Sequence, residues 1–195
     1  WAIIQAFTNI GGYRLEWQLL NTKWFLPQNR ERIYLVGYLG DGSRGQVFPI
    51  REKNKKIEVS FKTQRNVGTI CAGYYKTPTD GTYIKIKSAT SKGYEEAVDG
   101  DTINYSNPNS KTRRGRVGKG VAQTLDTGCS QAVIDKKIRR LTPIECERLQ
   151  GFIDNWTQYG ESGKISDTQR YKMCGNAVTV DVVEAVAKSI IKAIY

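Results

Sequence analysis

The feature that most constrains this chain is an abrupt change of texture after residue 40, reversed near residue 139. Outside those limits apolar residues recur at regular spacings. Between them glycine, Asn, Ser, Thr and Lys dominate. Short β-prone runs (Ile57–Phe61, Gly68–Tyr75, Thr82–Ile86 and Val121–Leu125) alternate there with turn signals. A chain so divided predicts three parts: a compact α/β beginning over 1–40, an irregular, mostly β insert with long loops over 41–138, and a helical return over 139–195. Charge follows the same limits. The formal net charge of +11 divides into +2, +10 and −1 over the three parts. A basic excess concentrated on one polar segment is the footprint expected of polyphosphate binding, although a merely soluble basic surface has the same composition.

The two ends carry the regular patterns. Trp1–Ile10 is an amphipathic helix closed by Gly11-Gly12. Arg14–Leu20 reads as a strand, and Ile33–Leu39 as a short apolar strand suited to burial on both faces. Together they look like the closing units of a larger parallel sheet, most of which must lie outside these residues. Thr142-Pro143-Ile144-Glu145 is a capping box with Pro at the first helical position, and Gly151 closes that helix. Asp167–Met173 predicts a short helix. Val178, Val182, Val186, Ile190 and Ile194 recur every four residues, so a last helix carries an apolar stripe that must pack. The sheet begun by residues 1–40 is its expected partner.

Composition excludes several functions. The chain has no histidine, which removes Ser-His and Cys-His nucleophile machinery from these residues. Cys71, Cys129, Cys146 and Cys174 are scattered, with no CxxC pair, so neither a zinc site nor a disulfide framework is indicated. The expectation is reduced thiols in a cytoplasmic protein without a metal. No apolar run approaches membrane-span length, and the start carries no signal-peptide pattern. The opening at Trp1 rather than Met suggests a truncated or dissected chain, or an engineered start.

Three separated stretches carry a resemblance. The first is Pro27-Gln28-Asn29-Arg30-Glu31-Arg32 before Ile33-Tyr34-Leu35-Val36-Gly37. The second runs from Arg140 through Thr142-Pro143-Ile144-Glu145 to Leu149-Gln150-Gly151-Phe152. The third is Gly175-Asn176-Ala177-Val178, read as opening the last helix. In this order they resemble the cytosine-C5 DNA methyltransferases: the Pro-Gln-x-Arg-x-Arg motif, the helix after the target-recognition region, and the final motif. Thr124-Leu125 is similar to a pair that the family carries late in its recognition region. The resemblance covers both ends well and the middle only loosely.

The resemblance implies a mixed α/β fold: the C-terminal piece of a Rossmann-like methyltransferase sheet (1–40), a small, mostly β target-recognition domain (41–138), and a helical segment packing on both (139–195). It implies methyl transfer from S-adenosylmethionine to C5 of a cytosine flipped out of duplex DNA, with a thiolate adding to C6. Arg32 would contact O2 of that cytosine and Arg30 would assist, the i, i+2 spacing placing both on one side of an extended segment. An isolated Arg-x-Arg is more often an ordinary pair at a strand entry; here the flanking motifs favour the functional reading. Asn176 and Ala177 would lie beside the methyl donor at a helix start, where Asn176 also suits a plain N-cap. Arg148 is a candidate tie between the helical return and the recognition region.

The middle segment adds its own candidates. Lys111–Gly120 holds five basic residues, no acidic one and three glycines. Its Arg113, Arg114, Arg116 and Lys119 suit contact with a DNA groove, against the alternative of a solvated charge run. Thr124, Leu125 and Tyr74-Tyr75-Lys76 rank behind them.

Several family features are absent from the sequence. No proline precedes a cysteine, and neither the Phe-x-Gly-x-Gly methyl-donor loop nor the Glu-Asn-Val motif is present. A truncation accounts for all three and predicts a chain inactive alone. The missing catalytic half would then be supplied by the same protein or by a partner subunit. A non-catalytic DNA-binding module and an RNA-methylating branch remain as other readings, the large basic middle favouring duplex DNA over RNA.

Overall fold

Alternating side chains build the first pair of strands. After α1 (Ala2–Ile10), Gly11 and Gly12 take left-handed φ values of 75° and 71°, and the chain turns into β1 (Tyr13–Asn21). A 3-10 turn (Thr22–Trp24), β2 (Gln28–Asn29) and β3 (Glu31–Leu39) follow. The computed structural model describes residues 2–40, 45–51, 83–135 and 138–195. Cys71, Ile57–Phe61, Gly68–Tyr75 and Lys76 therefore lie outside the described residues.

β1 and β3 pair antiparallel, from Tyr13 opposite Leu39 to Asn21 opposite Glu31. Parallel neighbours need a crossover of about a dozen residues or more, longer than the Thr22–Arg30 connection. The expected parallel sheet is thus not what these two strands form. Period-two alternation puts Leu20, Tyr34 and Val36 on one face and Tyr13, Trp17, Leu19, Ile33 and Leu39 on the other. Among the described residues, the helical return covers only the first face. Trp17, Ile33 and Leu39 stand 58%, 68% and 70% exposed, so within these residues the strand is covered on one side.

The middle segment supplies β4 (Ile84–Lys87), β5 (Tyr94–Ala97), β6 (Thr102–Asn104), β7 (Val117–Gly118), β8 (Ala122–Gln123), β9 (Gln131–Ile134) and β10 (Ile138–Arg140). Four of them form a sheet in the order β10-β9-β6-β7, and the β4–β5 hairpin lays Ile84 and Ile86 against Ala97, Ile103 and Ile134. β8 leaves this sheet and pairs parallel with β2, Gln28 beside Ala122 and Asn29 beside Gln123.

The return is α2 (Pro143–Leu149), the small pair β11 (Tyr159–Gly160) and β12 (Gly163–Lys164), α3 (Asp167–Asn176) and α4 (Val180–Ile194). Both halves of the capping box form: the Glu145 amide donates to Thr142 Oγ1 and the Thr142 amide to Glu145 Oε2. Val182, Val186 and Ile190 pack on the covered face of the β1–β3 hairpin, as the apolar stripe requires. Val178 falls outside that helix and is exposed. A second core joins Leu125, Cys129 and Val133 to Leu141, Cys146, Leu149, Tyr171 and Cys174. The three described cysteines, scattered in sequence, thus converge as free thiols, with Cys129 Sγ 3.3 Å from Cys146 Sγ. Among the described residues no helix is long and apolar enough to cross a membrane.

Candidate nucleic-acid interface

Where β2 meets β8 the chain encloses a cleft of about 580 Å³. The ladder contributes Asn29 and Gln123, and Thr124 Oγ1 donates to the Asn29 carbonyl at 2.8 Å. Lys23 of the 3-10 turn enters from one side of the joint, Arg113 and Lys119 from the other, and among the described residues no acidic side chain lines the space. Lys119 pairs with Asp101 at 2.6 Å. Lys23 and Arg113 have no ion-pair partner among the described residues.

Next to Asn29 in the chain, Arg30 ties this segment to two others. Its guanidinium, 8% exposed, donates to the carbonyls of Leu125 (3.3 Å), Gly175 (3.3 Å) and Ala177 (3.1 Å). Burial, and then the neighbouring Arg32, lowers its pKa from the ordinary arginine value. Burial pushes Tyr34 above the usual tyrosine range although both arginines oppose this. Arg32 is exposed and donates to the Glu31 carbonyl at 2.6 Å. Asn21 organises the approach. Its Oδ1 accepts from the amides of Lys23 (2.9 Å) and Arg30 (3.2 Å), and its Nδ2 donates to Asn29 and Glu31.

A profile for "C-5 cytosine-specific DNA methylase" matches residues 2–192. The chain belongs to the C-5 cytosine-specific DNA methylases. It is 34% identical to a DNA-cytosine methyltransferase of Escherichia coli (strain K12), over 88% of this chain and 39% of that protein. It is 29% identical to the type II methyltransferase M.SsoII of Shigella sonnei, over 92% of this chain and 45% of that one. For M.Bsp6I of a Bacillus species the identity is 27%, over 97% and 59%. The chain thus spans between 39% and 59% of the length of these relatives. In solved structures, the fold is similar to the methyltransferase EhMeth of Entamoeba histolytica, with a TM-score of 0.51 and 14% identity, over all of this chain and 58% of that one.

This methylase chain uses its basic loop differently from the sequence expectation. Arg116 is 2% exposed and donates to the carbonyls of Asn104, Ser106 and Asn107, so it holds the 104–107 turn and faces no ligand. Nor is the loop free. Glu95 accepts from the amides of Gly115 (2.9 Å) and Val117 (3.0 Å). Burial alone would raise the Glu95 pKa, but hydrogen bonds from Ser88 and these amides outweigh it and keep the carboxyl below its usual range. Arg113 lines the cleft, and Arg114 is exposed with Nε on the Ala89 carbonyl. Leu125 offers no side chain to DNA, because it is buried in the core and only its carbonyl works, as an acceptor for Arg30.

The final motif is also corrected. Gly175 and Asn176 end α3, and α4 starts after Thr179, whose hydroxyl bonds Thr22 and Gln150. Asn176 is therefore no N-cap of the last helix. Gly175 is required by packing, since a Cβ there would lie 2.6 Å from the Asp126 carbonyl. The Asn176 amide is exposed and has no hydrogen-bond partner among the described residues, while the Ala177 carbonyl is engaged by Arg30. For S-adenosylmethionine, Asn176 thus offers one free polar edge rather than a cradle. Arg148 pairs locally with Asp154 rather than across to the middle segment; Arg140 reaches it instead, donating to the carbonyls of Gly128 and Cys129. Sequence reasoning missed Lys23, because one lysine in a short turn carries no signal, and it missed the buried hub Glu147, which accepts from Thr157, Asn155 and Arg170.

Proposed function

We propose that this chain is the C-terminal part of a DNA cytosine-C5 methyltransferase and that its cleft takes the backbone of duplex DNA around a flipped cytosine. In this reading residues 1–40 end the catalytic domain, 41–138 recognise the target, and 139–195 pack on both. The observation that carries it is the cleft at the joint between the Pro-Gln-x-Arg-x-Arg segment and Thr124, lined among the described residues by cations and no carboxylate. Arg113, Arg114 and Thr124 meet the DNA, with Lys119 at the rim. Arg32 donates to O2 of the cytosine as charge develops on the ring, and Arg30 assists by fixing the segments that surround it. The thiolate that adds to C6 comes from residues not in this sequence, carried on the same polypeptide or a partner. S-adenosylmethionine, when bound, supplies the methyl group, and Asn176 gives it a hydrogen-bonding edge. The bare face of the β1–β3 hairpin, apolar and extended, suits the body that brings these groups.

The test is duplex binding and methyl transfer by the purified chain, alone and mixed with the N-terminal half of a relative. Salt-sensitive binding without methylation is expected from the chain alone. Methylation by residues 1–195 alone would refute the placement of the nucleophile elsewhere. Binding indifferent to salt would remove DNA from the cleft.

A further inference from the structure

We propose that Lys23 is a phosphate-binding residue acting across the β2–β8 joint from Arg113, so that one DNA backbone is held from both sides of the joint at once. This rests on the reading of the cleft as a duplex-DNA site. Lys23, Arg113 and Lys119 are the cations that line it, and Asp101 already neutralises Lys119. Two positive charges are left facing a space to which no described residue brings a carboxylate, and a phosphate relieves their repulsion. The root of Lys23 is fixed: its amide is bonded to Asn21 Oδ1, and the turn closes through the Phe25 amide on the Thr22 carbonyl at 2.9 Å. The same Asn21 oxygen takes the Arg30 amide, so the grip on phosphate and the Arg30–Arg32 segment move as one piece. A lysine is a compact point charge, fit for phosphate rather than for bidentate reading of a base.

The experiment is binding of a fluorescent duplex of mixed sequence by the whole chain over a salt series. Each lost phosphate contact should lower the slope of log affinity against log salt by about 0.9. Lys23→Ala and Arg113→Ala should each show that loss, Lys23→Arg should keep the wild-type slope, and Lys188→Ala on α4 should change nothing. Unchanged thermal melts establish that the exposed Lys23 variants fold. A wild-type slope in Lys23→Ala, with salt-sensitive binding intact, overturns the assignment of Lys23 alone. A slope lost in Lys23→Arg as well overturns the point-charge role. A wild-type chain that does not bind the duplex overturns the DNA reading itself, and Lys23 with it.

Discussion

The joint and the cleft rim use the same residue type to opposite ends. In the joint Arg30 is buried against three carbonyls drawn from two distant segments, and Arg116 does the same for the 104–107 turn. Arg32, two residues from Arg30, is exposed, and at the cleft Arg113, three from Arg116, has no side-chain partner among the described residues. A guanidinium that donates to buried carbonyls replaces backbone partners that would otherwise be missing, so its removal costs stability. One in water costs little to remove and remains available to a ligand. Basic residues that look alike in sequence therefore divide into those that hold the frame and those that act from it.

The sharpest way to break this contrast lies in the frame. Glu147 is fully buried with Arg170, and Glu147→Ala leaves that buried cation only the exposed Asp167, 3.6 Å away; a loss of about 3–5 kcal/mol is expected in denaturant unfolding. The pH dependence has a definite sign. Burial alone would raise the Glu147 pKa, but hydrogen bonds from Thr157, Arg170 and Asn155 hold it below the glutamate range. A depressed carboxylate gives its stabilisation above the unfolded value of about 4.3, and that stabilisation fades as pH falls through the folded value. The wild type should therefore weaken on acidification below that point, and Glu147→Gln should weaken less steeply. Next comes Arg30→Ala, expected to lower stability by about 2–3 kcal/mol in the same measurement. At the small end, Arg32→Ala and Arg114→Ala should stay within about 0.5 kcal/mol of wild type. A large loss for either would dissolve the division between frame and rim.

What could be read from sequence was local. The capping box at Thr142, the closing Gly151 and the stripe Val182, Val186 and Ile190 depend on neighbours within a few residues, and each forms as its spacing requires. The misreadings depended on distant partners. Arg116 is drawn inward by carbonyls of the 104–107 turn, and nothing in Lys111–Gly120 foretells that. For Ile33–Leu39, α4 covers one face, and what would cover the other cannot be read from these residues. Asn176 was read as a helix opening because the α3 break was not visible; extended backbone at Ala177 and Thr179 delays α4. The cleft itself is a product of the β2–β8 pairing, a contact nearly a hundred residues apart in sequence.

The uncovered side of the β1–β3 ribbon governs how such a polypeptide behaves in a test tube. Its greasy strip, with Trp17 midway along, invites self-association until something shields it. Light scattering should therefore climb with concentration before any loss of secondary structure. Mild detergent or co-expression with a shielding fragment should suppress it.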